Sequence, residues 1–569
     1  MGRSEWQFER FTFTPCAQMR KDLRRRAPHY ISDWKQGWSS KVLSSTFFMF
    51  FTSIAPAITF AGVLDAETKK DGVSQLGPVE VLFSTFLTGA IFAIFGGQPL
   101  CILGVTGPVT IFTVACFSLS DALELPFMEF YAWIQIWAAL FHVILAMVNA
   151  CDMIKMVTRF SCETFGMLIA IIYLYTGIRN LTEYFVEKEL APALLSLILG
   201  LGTAWLALFL SEARAWSVLT REIRTKIADY GTTFAVVFFC GVPYWGGNYN
   251  LTPSAFGGDE TNQTIATLKV GDDFAPTNGR AWFVNPFDCP AWGAFAAILP
   301  GLILTILFFF DHNVSSLLCQ AAEFGLKKGT AFHWDFFVIG VQILITGLLG
   351  LPPVNGLIPQ APLHTDSLCE KRFLLKTDGE KEEVIVRCHE QRVSALMQAS
   401  LIGCTLFYIR GIGYLPIAAL DGLFIYMGIA SFHGNTFYQR LVLFFTDPER
   451  LDARSLDYLN LVPMNIIYKF TLLQLGILAV IFAITLVPYI DALFPLCIAI
   501  LVPMRSYKLP KWFGTEHTDT LDAREITPPE VVDAAQTQVQ MRMANEVGST
   551  TSPARALHEG VPPVPPLNL

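Results

Sequence analysis

Apolar residues along this chain fall in long runs separated by short charged stretches. The runs lie at roughly 42–64, 79–96, 101–118, 129–150, 163–178, 192–211 and 230–245, and again at about 291–312, 334–349, 356–364, 393–409, 414–431, 466–485 and 487–503. Most approach the ~20 residues a helix needs to cross about 30 Å of hydrocarbon. The pattern predicts an all-α polytopic membrane protein with about fourteen transmembrane segments in two groups of seven. Two segments are weak. The 101–118 run is broken by Gly104, Gly107 and Pro108, and the stretch at 350–362 holds Pro352, Pro353, Gly356, Pro359 and Pro362. They are the third members of their groups, so the breaks stand at matching positions.

Basic residues divide the connecting segments into two sides. Arg20, Lys21, Arg24, Arg25, Arg26, Lys35 and Lys41 precede the first run and place the N-terminus in the cytosol. Alternation then puts Arg214, Arg221, Arg224, Lys226, Lys327, Lys328, the 371–392 loop and Arg440–Arg454 on the same side. The outer loops keep only Lys69, Lys70, Arg179, Lys188, Lys269, Arg280 and Arg410. The expected organisation is a basic cytosolic segment (1–41), a first seven-span repeat (42–245), an extracellular loop (246–290), a second repeat (291–513) and a disordered acidic cytosolic tail (514–569) that buries no core. Asn250 and Asn262 open Asn-Leu-Thr and Asn-Gln-Thr in the long outer loop and are candidate glycan acceptors.

Composition agrees with this. The chain is 53% apolar and only 15% charged, too little charge to wet a soluble fold of this size. Its net charge of −8 is no nucleic-acid signature, because residues 515–569 alone hold 8 acids against 3 bases. Cys101, Cys116, Cys240, Cys404 and Cys497 lie inside apolar runs, where cysteine packs as a small hydrophobe. The spacing of His364, Cys369, Cys388 and His389 fits no common zinc site. The start MGRSEWQFERF lacks the form of a cleavable signal peptide. With no G-x-S-x-G or H-E-x-x-H, the chain offers nothing for a hydrolase. Neither an enzymatic step nor a cofactor is expected.

The paired breaks are where chemistry can sit. A helix that begins in mid-membrane leaves unpaired N–H groups and about half a positive charge at its end. Two such ends facing one another cradle an anion without a lysine, and broken segments in matching halves point to a transporter site. The simpler alternative is two kinked packing helices. Candidate binding residues at these ends are Gln98, Thr106, Gly107 and Val109 in the first half, and Asn355, Gly356 and Gln360 in the second. Asp311, in Phe308–Phe309–Phe310–Asp311–His312–Asn313, either marks the end of its apolar run or lies inside a helix continuing to Lys327. An intramembrane carboxylate normally lines a site, and the second reading is the one expected.

At these residues the sequence resembles a known family. Gly97–Gln98–Pro99–Leu100 with Gly104–Val105–Thr106–Gly107–Pro108 is similar to the third span of the bicarbonate transporter/anion exchanger superfamily. Phe309–Val314 resembles its eighth span, Gly350–Leu351–Pro352 its tenth and Phe494–Arg505 its last. Arg24–Trp34 and Gly356–His364 look like the borate exporters of fungi and plants. The resemblance implies a seven-plus-seven inverted repeat, with spans 1–4 and 8–11 as a core domain and spans 5–7 and 12–14 as a gate domain. It implies borate or boric acid as substrate, a homodimer through the gate domains, residence in the plasma membrane or also the vacuolar membrane, and an anion held where the third and tenth half-helices meet. Gln360 stands where the chloride/bicarbonate exchangers carry an arginine. A neutral amide suits a hydroxylated anion, which needs both donors and acceptors. Exchange of bicarbonate or another small anion on the same fold is the nearest alternative. A membrane scaffold working through its tails is a more distant one.

Overall fold

The computed structural model describes residues 14–522 apart from 246–262, 268–273, 322–323, 376–380, 409–410, 412, 434, 448–456 and 488–493. Asn250 and Asn262 therefore lie outside the described residues. Two short helices, α1 (Ala17–Arg26) and α2 (Tyr30–Lys35), lead into α3 (Ser40–Glu67), where the Ser39 hydroxyl accepts from the Val42 N–H. A small hairpin, β1 (Lys69–Lys70) and β2 (Val73–Ser74), turns the chain into α4 (Pro78–Phe95). Glu80 folds back to accept from the Gly77 N–H at the start of α4.

A two-residue strand, β3 (Leu103–Gly104), precedes α5 (Gly107–Ala122). Then come α6 (Phe127–Met147), α7 (Arg159–Glu187), α8 (Leu190–Ser211) and α9 (Arg221–Gly241). The second half repeats the order with α10 (Ala291–Ala296) running into α11 (Ile298–Leu318), then α12 (Phe332–Leu348), β4 (Asn355–Gly356) and α13 (Gln360–Ser367). A hairpin, β5 (Cys369–Leu375) and β6 (Lys381–Cys388), leads to α14 (Val393–Phe407), α15 (Ile417–Ala430), α16 (Thr436–Leu443), α17 (Met464–Thr485) and α18 (Phe494–Tyr507).

Each apolar run seen in the sequence holds a helix, and in both halves the third is broken by a strand pair of residues. Among the described residues, 8 helical stretches are long and apolar enough to cross a membrane. The protein is an all-α polytopic membrane protein. Its helices separate into two bodies: α3–α6 pack with α10–α14, and α7–α9 with α15, α17 and α18. The bodies meet where α3 touches α9 and α15, and where α11 touches α18. Their membership is the one expected of the core and gate domains, and the two bodies are called core and gate below.

Two expectations change. The helix carrying Asp311 stops at Leu318 rather than running to Lys327. No local breaker ends it; the Thr365 hydroxyl takes the Cys319 carbonyl, and the Gln320 amide folds back onto the Ser316 carbonyl. The stretch just after Gly514, expected to be unstructured, instead continues from α19 (Leu509–Phe513) into α20 (Thr515–Leu521). Asp522 at its end is buried and accepts from the Phe160 N–H at 2.6 Å and from Arg505 Nε at 2.5 Å. Burial pushes its carboxyl upward while Arg505 pulls it back. A tail helix thus caps the start of α7. Truncation after Gly514 should lower thermal stability and surface level, because each charged hydrogen bond lost contributes roughly 1.5–3 kcal/mol. Truncation after Asp522 should leave both near the parent, as a melting series in detergent will register.

The N-terminal basic segment is likewise part of the core. Asp33 is fully buried and meets Lys328 Nζ at 2.6 Å, Arg392 Nε at 3.3 Å and Arg26 Nη2 at 3.5 Å. Arg26 also lies 3.6 Å from Glu390. Arg392 donates to the carbonyls of Ala93 at 3.0 Å and Gly96 at 2.6 Å, closing the C-terminus of α4, and sits over the Tyr30 ring. Bases and acids alternate, as buried charges must when water cannot solvate them. The face bearing α1 and this network is called the inner face below.

Candidate anion site between two half-helices

The site begins with the two broken segments crossing. β3 and β4 pair antiparallel, Leu103 with Gly356 and Gly104 with Asn355, as elements related by an inverted repeat would. The Leu357 N–H extends the ladder to the Ile102 carbonyl at 2.8 Å. Glycine is needed at both crossings. A Cβ on Gly104 would fall 2.7 Å from Leu357 Cδ1, and one on Gly356 would fall 2.8 Å from Ser315 Cβ.

Polar side chains from neighbouring helices satisfy the rest of this irregular backbone, which lipid could not. Ser84 Oγ donates to the Pro352 carbonyl at 2.6 Å, and Gln135 Nε2 to the Leu351 carbonyl at 2.9 Å. The Asp335 carboxylate accepts from the N–H groups of Gly97 at 2.5 Å and Gln98 at 3.1 Å. His364 bridges the Leu100 carbonyl and Ser394 Oγ at 2.8 and 2.7 Å.

Neither half-helix is capped by its own chain. Thr106, the N-cap of α5, is extended and its hydroxyl bonds no backbone N–H, while α13 starts from Pro359, which has no side chain to do so. In α13 the Ala361 N–H already bonds the Leu357 carbonyl at 2.9 Å and Pro362 has none to give, so the N–H groups of Gly107, Val109 and Gln360 are the ones left for a ligand, with the positive helix ends behind them. A cavity of about 310 Å³ opens there, lined by Thr106, Gly107, Asp311 and Gly356 of the core and by Ile169, Tyr173, Thr176 and Phe424 of the gate. It runs to Arg179, Thr485 and Leu486 at the outer ends of α7 and α17. Arg179 supplies the cation among the described lining residues, and it is held by Glu183 at 2.6 Å.

Asp311 is 2% exposed. Its Oδ2 accepts from Asn355 Nδ2 at 3.0 Å, and its Oδ1 has no protein partner. Gln360 Nε2 donates to the Thr52 carbonyl at 3.0 Å and lies 3.3 Å from Tyr173 Oη, leaving Oε1 unbonded. Tyr173 stacks on Phe424, centroids 5.1 Å apart, which fixes the gate-side wall. The open groups are therefore carboxylate and amide oxygens, the Thr106 hydroxyl and backbone N–H donors: acceptors and donors together.

Of the residues expected from the sequence, Thr106, Gly107, Asp311 and Gly356 face the cavity, and Asn355 and Gln360 stand behind it, bonded to lining residues. Gln98 and Val109 are not among the lining residues. Gln98 is held back by Asp335, and the Val109 side chain points into the core, fully buried. Tyr173, Thr176 and Asp335 were not legible from the sequence. Tyr173 looks like any aromatic in an apolar helix until the fold brings it to Gln360. Asp335 looks like a polar residue at a helix start.

Comparison with known proteins gives the family. The model of the HCO3- transporter integral membrane domain matches residues 14–193 and 187–526. Boron transporter 1 of Saccharomyces cerevisiae is 35% identical over 446 residues, covering 76% of this chain and 73% of that protein. Probable boron transporter 6 of Arabidopsis thaliana is 31% identical over 605 residues, covering 90% and 88%. Among solved structures, the transmembrane domain of the cyanobacterium bicarbonate transporter BicA aligns with a TM-score of 0.43 and 14% identity, covering 77% of this chain and 96% of that one. With the match reaching from α1 past the tail helix, the chain belongs to the family of HCO3- transporter integral membrane domains.

Proposed function

We propose that this protein is a secondary transporter that exports borate across the plasma membrane, with both termini cytosolic and with gate domains pairing in a homodimer. The observation that carries the reading is the pair of uncapped half-helix ends facing a carboxylate with one open oxygen. Tetrahedral borate offers negative oxygens to the N–H groups of Gly107 and Gln360, with the backbone N–H of Val109 available behind them. It offers hydroxyl protons to Asp311 Oδ1 and to the Gln360 amide oxygen. Gln98 would position the approach to α5. Identity of 31–35% to proteins named boron transporters supports the substrate class. Borate held in the core would be passed between faces as the core moves against the gate.

The family description also favours a second reading, exchange of bicarbonate or another small inorganic anion. Boron content in cells lacking and then regaining the chain separates the two: export lowers it, and exchange of bicarbonate leaves it unchanged. Gln360→Arg adds a full charge beside the Thr52 carbonyl and removes the amide acceptor. It should depress borate export strongly at unchanged surface level, and any gain in bicarbonate flux would appear in the same vesicles.

A further inference from the structure

A second cavity, about 290 Å³, lies on the other side of Ile358 and Pro359, and these two residues line both cavities. It opens toward the inner face, between Arg159 at the start of α7 and Asp366 and Lys371 at the junction of α13 and β5. Its charges are balanced. Arg159 lies 3.7 Å from Glu163, and Lys371 lies 2.6 Å from Asp366. Ser431 and Asn435 add neutral polar groups from the gate. The wall therefore offers donors and acceptors without an excess of either charge, unlike the site between the half-helices.

Helix α7 passes from one cavity to the other within about one turn. Phe165 lines the first, and Cys162 and Gly166 line the second. Ile358 and Phe165 belong to one apolar cluster and are 6% and 1% exposed. One layer of side chains thus separates two spaces that are each large enough for a small hydroxylated solute.

Building on the export reading, we propose that the second cavity is a loading vestibule for the substrate on the cytosolic side, and that Ile358 with Phe165 is the barrier between vestibule and site. Boric acid is uncharged in neutral water and is recognised through its hydroxyl groups, which a charge-balanced polar wall accommodates. Ile358 leads into α13, so the barrier is attached to the half-helix that would hold the anion, and Phe165 is attached to the gate. Movement of one body against the other would part them.

Gly166 gives the test. A Cβ built there meets nothing nearer than Asn435 Nδ2 at 4.0 Å, so a larger side chain enters the vestibule instead of a neighbouring helix. Borate flux and surface level are measured for Gly166→Phe and, from the facing wall, Ala430→Phe. Both variants should lose export while present at the surface. Ile358→Ala should instead let borate run down its gradient in either direction. Parental flux through either phenylalanine variant at parental surface level overturns the proposal. If both are missing from the surface, a tight, parental Ile358→Ala overturns it, and a leaking one supports it. A parent chain that leaves cell boron unchanged fails the export reading itself, and the vestibule falls with it; that outcome differs from parental export that the filled vestibule does not impede.

Discussion

Asp311→Asn should give a protein that reaches the membrane at the parental level and exports little borate. The asparagine keeps the shape of the buried side chain, and its carbonyl can still accept from Asn355 Nδ2, which lies 3.0 Å from Asp311. What disappears is the charge. Two half-helix ends bring about one unit of positive partial charge to the empty site, and Asp311 is the carboxylate placed to balance it. It is also the acceptor whose open oxygen can take a hydroxyl proton of the bound anion. A hydrogen bond to a charged group contributes roughly 1.5–3 kcal/mol, so export should fall about ten- to a hundredfold, since 1.4 kcal/mol is a factor of ten. Asp311→Ala should lose as much export and some stability too, because Asn355 Nδ2 is left buried without its partner. The assay is boron efflux normalised to surface protein. Asp311→Asn exporting like the parent would remove this carboxylate from the site.

The largest loss of stability is expected far from the cavity, at Arg392. Arg392 is 2% exposed, and its guanidinium joins Asp33 to the end of α4 through the Ala93 and Gly96 carbonyls. Removing one member of a buried charge network leaves the others unsolvated, at a cost of about 3–5 kcal/mol. Arg392→Ala should therefore melt well below the parent and be depleted from the surface. Arg392→Lys should recover only part of this, because an ammonium cannot reproduce the planar fork that reaches both carbonyls and Asp33. A melting curve in detergent at parental, Lys and Ala positions would order the three. An Ala variant as stable as the parent would mean that water reaches this network. The two predictions differ in kind: the first should change flux at constant stability, the second stability before flux.

The spans were legible because the membrane imposes length and hydropathy on every crossing helix, and the half-helices because glycine and proline mark where such helices break. Asp311 was legible because a carboxylate inside an apolar run is costly. Partners distant in sequence were not. Asp33 and Arg392 look like unremarkable charges on separate connecting segments, and Asp522 looks like part of a polar tail, until each is buried against a residue more than a hundred positions away. The β5–β6 hairpin was missed because its stability rests on cross-strand pairing, and Cys369–Leu375 shows no simple alternation of apolar and polar residues. Helix α11 was expected to be too long because what ends it is Thr365, 46 residues on from Cys319. Gln98 and Val109 were placed at the cavity by their nearness in sequence to the broken turn, whereas the backbone direction turns their side chains away.

The pairing of Leu103 with Gly356 also bears on how the chain is made. The two strands are separated by about 250 residues, so at roughly 5–20 residues per second the first must wait on the order of ten to fifty seconds for the second to be synthesised. During that interval the Leu103–Gly104 backbone has no strand to bond, and hydrocarbon charges several kcal/mol for each such group left bare. The first half-helix therefore cannot settle in lipid as it emerges. It must be sheltered by the insertion machinery or by α4 and α6, or stay wet near the surface, until the second repeat arrives. A chain interrupted anywhere before residue 356 keeps this seam unpaired and lacks the second half-helix of the site.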